Sequence, residues 1–117
     1  MEKMNPEIKA QWVAALRSGE YEQSHLALRS KDSSGEVSYC CLGVLCEISG
    51  LGEWEEDGYR LSGGYTNSSF LPSRVQEWAN ITSDDPAVGG EGVDCLSYKN
   101  DNGATFAEIA DLIEQNF

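Results

Sequence analysis

Apolar and polar positions alternate with three different rhythms along this chain. Across residues 5–18, Ile8, Trp12, Ala15 and Leu16 recur at helical spacing. Asn5 and Pro6 open that segment as an N-cap followed by proline at the first helical position, and Gly19 supplies a stop. A helix is expected there. Near the other end, Phe106, Ile109, Ala110, Ile113 and Phe117 form one apolar stripe, preceded by Thr105 and Glu108. Threonine and glutamate at that spacing form a capping box, in which each side chain satisfies an otherwise unpaired backbone N–H. Leu71-Pro72 begins a third helix, with Val75, Trp78 and Ile81 repeating every three residues.

Between the helices the rhythm shortens. Residues 26–30 and 36–40 read as two short strands around the polar cluster Lys31-Asp32-Ser33-Ser34-Gly35, hence a β-hairpin. Trp54 to Leu61 reads as a strand, as does Val93 to Tyr98, whereas residues 62–69 and 82–92 carry the glycine, serine and asparagine content of loops. The run Cys40-Cys41-Leu42-Gly43-Val44-Leu45-Cys46 has no charge and predicts a short buried helix ending at Gly50. Gly43 in its interior costs about 1 kcal/mol against alanine, which points either to close approach by a neighbouring backbone or to plain tolerance. Helices separated by short strands give a single α+β domain over 1–117, with three or four helices packed on a small antiparallel sheet.

Composition narrows the function. Three tryptophans, five tyrosines and three phenylalanines support a packed core. Twenty acidic against eight basic residues give a formal charge of −12, which opposes nucleic acid and anionic membranes as partners. No apolar run approaches the roughly 20 residues that span a bilayer. The N-terminus lacks a basic region followed by an apolar one, so no signal peptide is read and a cytoplasmic location is expected.

Four constellations carry chemistry. The first is the thiols. On a helix Cys41 and Cys46 point about 140° apart, poorly placed for one metal, from the ~100° per residue of helical geometry. Disulfides are unexpected in a cytosolic chain, so packing is favoured and no metal is assigned. The second is a nucleophilic pair: a hairpin pairing Ser30 with Glu36 would set His25 opposite Cys41, the arrangement that activates a thiol. A small thiol enzyme is the third-ranked reading, and no catalytic residue is assigned. The third signal is acidic. Glu53, Glu55, Glu56 and Asp57 surround Trp54, and Glu108, Asp111 and Glu114 decorate the last helix. The bland reading is a solvated surface; the sharper one is a DNA-mimic-like inhibitor that occupies a nucleic-acid-binding protein directly. The fourth is an anion pocket. Residues 63–69 lead into the helix near Pro72, and Asn100-Asp101-Asn102-Gly103 leads into the last helix, placing N–H groups where anions bind. Arg60 and Arg74 are the candidate phosphate clamps, Tyr65, Tyr59 or Trp54 the stacking rings, and Asn100 a further contact.

Three segments together carry a resemblance: residues 5–21, the cysteine-rich run with Glu47, and Asn100-Asp101-Asn102-Gly103 leading into Phe106-Ala107-Glu108-Ile109-Ala110-Asp111, with Leu71-Pro72, Val75 and Glu77-Trp78-Ala79 between them. The combination resembles a family of small tailed-bacteriophage proteins. The resemblance implies a phage protein acting in the host bacterial cytoplasm, and it carries over no catalytic residues. By analogy with phage proteins that sequester nucleotide signals, the expected function is a non-enzymatic accessory protein that counters a bacterial defence. Its ligand would be a small anionic nucleotide-derived molecule, bound by Arg60, Tyr65, Arg74 and Asn100 without a cofactor. The acidic inhibitor of a host defence protein is the alternative. A homo-oligomer is left open, and extensive exposed apolar surface would favour one.

Overall fold

A computed structural model describes residues 4–25, 27–55, 58–61, 66–67, 70–81, 83–88 and 94–117. The fold is α+β, as expected, with five helices and three small antiparallel sheets among the described residues. The elements run α1 (Pro6–Arg17), β1 (Arg29–Lys31), β2 (Val37–Tyr39), α2 (Cys41–Ser49), β3 (Gly52–Glu55) and β4 (Gly58–Leu61). There follow β5 (Thr66–Asn67), α3 (Ser73–Ala79), β6 (Ala87–Val88), β7 (Asp94–Cys95), α4 (Leu96–Asp101) and α5 (Phe106–Asn116). Strands pair as β1-β2, β3-β4-β5 and β6-β7. No described helix is long and apolar enough to cross a membrane.

Local chemistry explains the terminal helices. Asn5 Oδ1 accepts the N–H groups of Glu7 (2.9 Å) and Ile8 (3.3 Å), starting α1. Thr105 and Glu108 complete the expected capping box of α5. The two helices pack together, burying Ile8, Trp12, Val13 and Leu16 with Phe106, Ile109, Ala110 and Ile113 among the core residues. Lys9 Nζ donates to the carbonyls of Glu114 (3.2 Å) and Phe117 (2.8 Å), satisfying acceptors at the end of α5.

The cysteine run is the centre of the core. Cys41 to Cys46 are all buried in α2, and Trp12 Nε1 donates to Cys41 O across 3.0 Å. Gly43 has a definite reason to be glycine. A Cβ built there would lie 1.8 Å from Leu28 O, so the backbone leading into β1 crosses the helix in contact. The Cys40 N–H donates to the same Leu28 carbonyl at 3.1 Å. Close approach, not tolerance, accounts for the residue.

Three elements differ from expectation. The stretch Trp54 to Leu61 is a hairpin, β3 and β4, not one strand, with residues 56–57 outside the described residues. Gly52 allows the two strands to meet, since a Cβ there would fall 2.3 Å from Arg60 O. Of the expected strand Val93–Tyr98, Val93 lies outside the described residues, Asp94–Cys95 form β7, and α4 begins at Leu96. Of the expected 82–92 loop, residues 82 and 89–92 lie outside the described residues, and Ala87–Val88 form β6, which pairs with β7. Asp85 explains α4: its carboxylate accepts the Ser97 N–H (3.0 Å) and the Ser97 hydroxyl, capping the helix from twelve residues upstream. In α3 the buried positions are Val75 and Ala79, and Asn80 turns left-handed (φ 58°) to end the helix before Ile81.

Gly43→Ala is expected to lower stability by about 3 kcal/mol, the upper range for overpacking, because the clash is with backbone rather than a movable side chain. Urea unfolding should show a lower midpoint at unchanged slope. An unchanged midpoint would mean that Leu28 does not cross α2 in contact.

Candidate functional site

The β1-β2 hairpin turns tighter than expected. Asp32 N donates to Glu36 O (2.9 Å), and Asp32 Oδ1 accepts from Ser34 N (2.9 Å), Ser34 Oγ (2.6 Å) and Glu36 N (3.0 Å). These bonds, first the one from the Ser34 hydroxyl, hold the Asp32 carboxyl below its ordinary pKa. They also set the register: Ser30 pairs with Ser38, not Glu36, while Arg29 pairs with Tyr39 and Lys31 with Val37. The two-residue shift removes the expected pairing of His25 with Cys41. His25 is exposed, whereas Cys41 is completely buried and its thiol donates to Leu96 O (3.6 Å).

The other two thiols of the cysteine run are equally committed to the interior, whereas Cys95 is half-buried. Cys40 Sγ accepts the Gly43 N–H (3.4 Å), capping α2, and Cys46 is fully buried. Burial pushes the Cys40 thiol up to about 11 and raises Cys41 and Cys46 as well. A thiolate nucleophile is therefore disfavoured at all three positions. Among the described residues no group of three His, Cys, Asp or Glu side chains is placed to hold a metal ion.

The register has a positive consequence. Residues two apart in a strand share a face, so Arg29 and Lys31 project together beside Tyr39. Against them stands Trp54 of β3. The Arg29 guanidinium lies over the Trp54 ring, 5.5 Å from its centroid, a cation–π arrangement. Trp54 Nε1 donates to Glu47 Oε2 (2.6 Å), which fixes the ring orientation. Tyr21, Tyr39, Trp54 and Tyr59 continue as a chain of aromatic contacts with centroid separations of 5.4, 5.8 and 4.7 Å. Burial, and then Glu47, hold the Tyr39 phenol above its ordinary pKa, with Arg29 opposing them.

A groove of ≈ 830 Å³ is lined by Arg29, Ser30, Lys31, Asp32, Trp54 and Glu55. Neither Arg29 nor Lys31 forms a salt bridge among the described residues. Arg29 Nε is buried with no hydrogen-bond partner among them. A second hollow of ≈ 400 Å³ includes Glu53, Glu55 and Arg60, so Glu55 lines both.

The residues singled out from sequence separate. Arg60 is exposed on β4, opposite Glu53 and paired to Glu55 at 3.4 Å, so carboxylates already compensate its charge. Arg74 is exposed on α3 and lines neither hollow. Tyr65, with most of residues 62–69, lies outside the described residues. Asn100 must be reassigned, because it is completely buried. Its Oδ1 accepts from Gln23 Nε2 (2.8 Å) and Cys41 N (3.2 Å), and its Nδ2 donates to Ser24 O (2.8 Å) and Asp101 Oδ1 (3.1 Å). Two acceptor and two donor positions exhaust an asparagine amide. Asn100 ties three segments together and has nothing left for a ligand.

The expected anion site at the start of α5 is filled by Glu108 of the capping box. Of the surface acids, Asp111 (2.5 Å) and Glu114 are bridged by Arg17. Glu56 and Asp57 lie outside the described residues. Arg29 and Lys31 were not among the residues singled out from sequence. Their signal was spacing: two cations two apart, entering a hairpin whose partner strand carries Tyr39.

A family model matches residues 4–117. The chain belongs to the family described as Domain of unknown function (DUF8296). No curated protein and no solved structure matches it. Within this DUF8296 chain the Arg29–Lys31–Trp54 groove is thus characterised by its own chemistry: two cations that form no salt bridge among the described residues, one aromatic ring, and a buried N–H with no partner among those residues.

Native protein at neutral pH should resist alkylation of Cys40, Cys41 and Cys46 by iodoacetamide, while urea-unfolded protein should be modified rapidly at all three. The raised thiol pKa values also carry a sign. The folded state holds protons that the unfolded state loses, so stability is complete below the unfolded thiol pKa of about 8.5. It should fall as pH rises from there through the Cys40 value of about 11. Fast labelling of any of the three in the native state, or flat stability over that interval, would contradict the buried assignment.

Proposed function

We propose that this chain is a phage accessory protein that counters a bacterial defence by sequestering a nucleotide-derived signal in the groove between β1 and β3. One observation carries the reading: Arg29 and Lys31 project from one strand face beside Trp54, unpaired with any described carboxylate, in a chain with only eight basic residues. A phosphate matches the paired cations, since charge-assisted hydrogen bonds to guanidinium and ammonium groups are the strong ones. An aromatic base matches the indole. The groove's ≈ 830 Å³ falls in the range of small-molecule sites. The resemblance to tailed-phage proteins supplies the setting, the host bacterial cytoplasm.

The reading is of binding without turnover. The thiols of Cys40, Cys41 and Cys46 are enclosed, and Asp32 is committed to its turn. The acidic-inhibitor alternative draws on the net charge, but Arg17 bridges two of the α5 carboxylates and Arg60 pairs with Glu55.

The test is capture from extracts of bacteria with an activated nucleotide-based immune response. Protein recovered from the extract and denatured should release an intact ultraviolet-absorbing anion. Arg29→Ala should reduce its affinity about 10- to 100-fold, from the ~1.5–3 kcal/mol of a hydrogen bond to a charged group. Lys31→Ala should reduce it less, as a single point charge. Release of a converted product, undiminished capture by Arg29→Ala, or recovery of a host protein in place of a small molecule would contradict the proposal.

A further inference from the structure

The geometry points to Glu55 as the residue that tunes anion affinity in the groove, with Arg60 acting on the ligand only by holding Glu55 aside. This inference rests on the groove reading given above. Glu55 lines both hollows, and of the two described groove carboxylates it is the one not committed to a turn. It stands on β3 next to Trp54, with Arg29 and Lys31 lining the same groove. The contact that orients it is the Arg60 pair, Nη1 to Oε2 at 3.4 Å.

Arg60 cannot serve both masters. It faces Glu53 across the β3-β4 ladder and Glu55 diagonally, so its environment already supplies two carboxylates for one guanidinium. A phosphate approaching Arg60 meets that excess of negative charge, whereas Arg29 and Lys31 have no such neighbours in ion-pair contact among the described residues. Removing Arg60 frees Glu55 to turn toward Arg29 and Lys31, where a carboxylate competes directly with a ligand phosphate for the same donors. The chain thereby carries its own competitor, and the Arg60 pair keeps that competitor disengaged. The pair is solvent-exposed and long, so the restraint is weak and the expected effects are modest.

A double-mutant cycle in the full chain separates the indirect role from direct contact. The four proteins are wild type, Arg60→Ala, Glu55→Gln and the double variant. The probes are the four ribonucleoside monophosphates, each titrated by calorimetry. Arg60→Ala should weaken binding about 3-fold, the scale of an exposed ion pair. Glu55→Gln should bind at least as tightly as wild type, and the double variant should match Glu55→Gln, so that loss of Arg60 has no effect once Glu55 is neutral. The same weakening by Arg60→Ala in both backgrounds would show direct contact and overturn the inference, as would unchanged binding by Arg60→Ala alone.

A readout that needs no nucleotide keeps this inference distinct from the groove reading. Iodide quenching of tryptophan fluorescence senses local potential, and Trp12 is fully buried while Trp78 is common to all four proteins. Quenching should fall in Arg60→Ala, rise in Glu55→Gln and be equal in Glu55→Gln and the double variant. If Arg29→Ala leaves nucleotide binding unchanged, the groove reading fails. If the iodide cycle is additive, the Glu55 inference fails even where nucleotides bind.

Discussion

The contact between Leu28 and Gly43 governs the rest of this architecture. A helix with no charged side chain before Glu47 occupies the core, and a backbone segment lies directly across its middle because position 43 offers no Cβ. That crossing fixes where the chain emerges from the core. Leu28 is completely buried, and the next residue, Arg29, begins β1 at the surface. One step along the backbone separates this close backbone approach from the first groove cation. The Leu28 carbonyl also accepts the Cys40 N–H, so the same residue joins the start of α2 to the start of the hairpin. Asn100 secures that junction from the other side by accepting from Cys41 N while donating to Ser24 O.

Charge is distributed on this frame with little to spare. Lys9 is used on the carbonyls ending α5, Arg17 on Asp111 and Glu114, and Arg60 on Glu55. Arg29 and Lys31 stand differently, beside an aromatic ring and without carboxylates in salt-bridge contact among the described residues. A strongly acidic protein repels polyanions at long range, where all charges sum, yet a small anion inside the groove responds chiefly to its nearest neighbours. The expected exclusion of nucleic acid and the proposed attraction of a mononucleotide-sized anion are compatible for that reason.

The parts legible in the sequence are those governed by short-range chemistry. Asn5-Pro6 and Thr105/Glu108 specify their helices within a turn, and the buried role of the cysteine run follows from its lack of charge. The misread parts depend on partners distant in sequence. Helix α4 takes its cap from Asp85, and β6 exists only because β7 pairs with it. The hairpin register was within reach of local reasoning but turned on the carboxylate of Asp32, which a count of loop residues does not weigh. The candidate site shows the same division. Arg60 was visible as a cation near glycines, but its cross-strand carboxylates were not. Asn100 read as a turn residue because the two distant segments that consume its amide, at residues 23–24 and at Cys41, meet it only on folding.

Nuclear magnetic resonance of the isotopically labelled chain, titrated with the four ribonucleoside monophosphates, tests the central claim most directly. The account predicts that at least one of them shifts the Trp54 indole N–H and the Arg29 Nε–H together, leaving the Trp12 indole in place. Shifts confined to α3 around Arg74, or a Trp54 signal unmoved by all four, would contradict it.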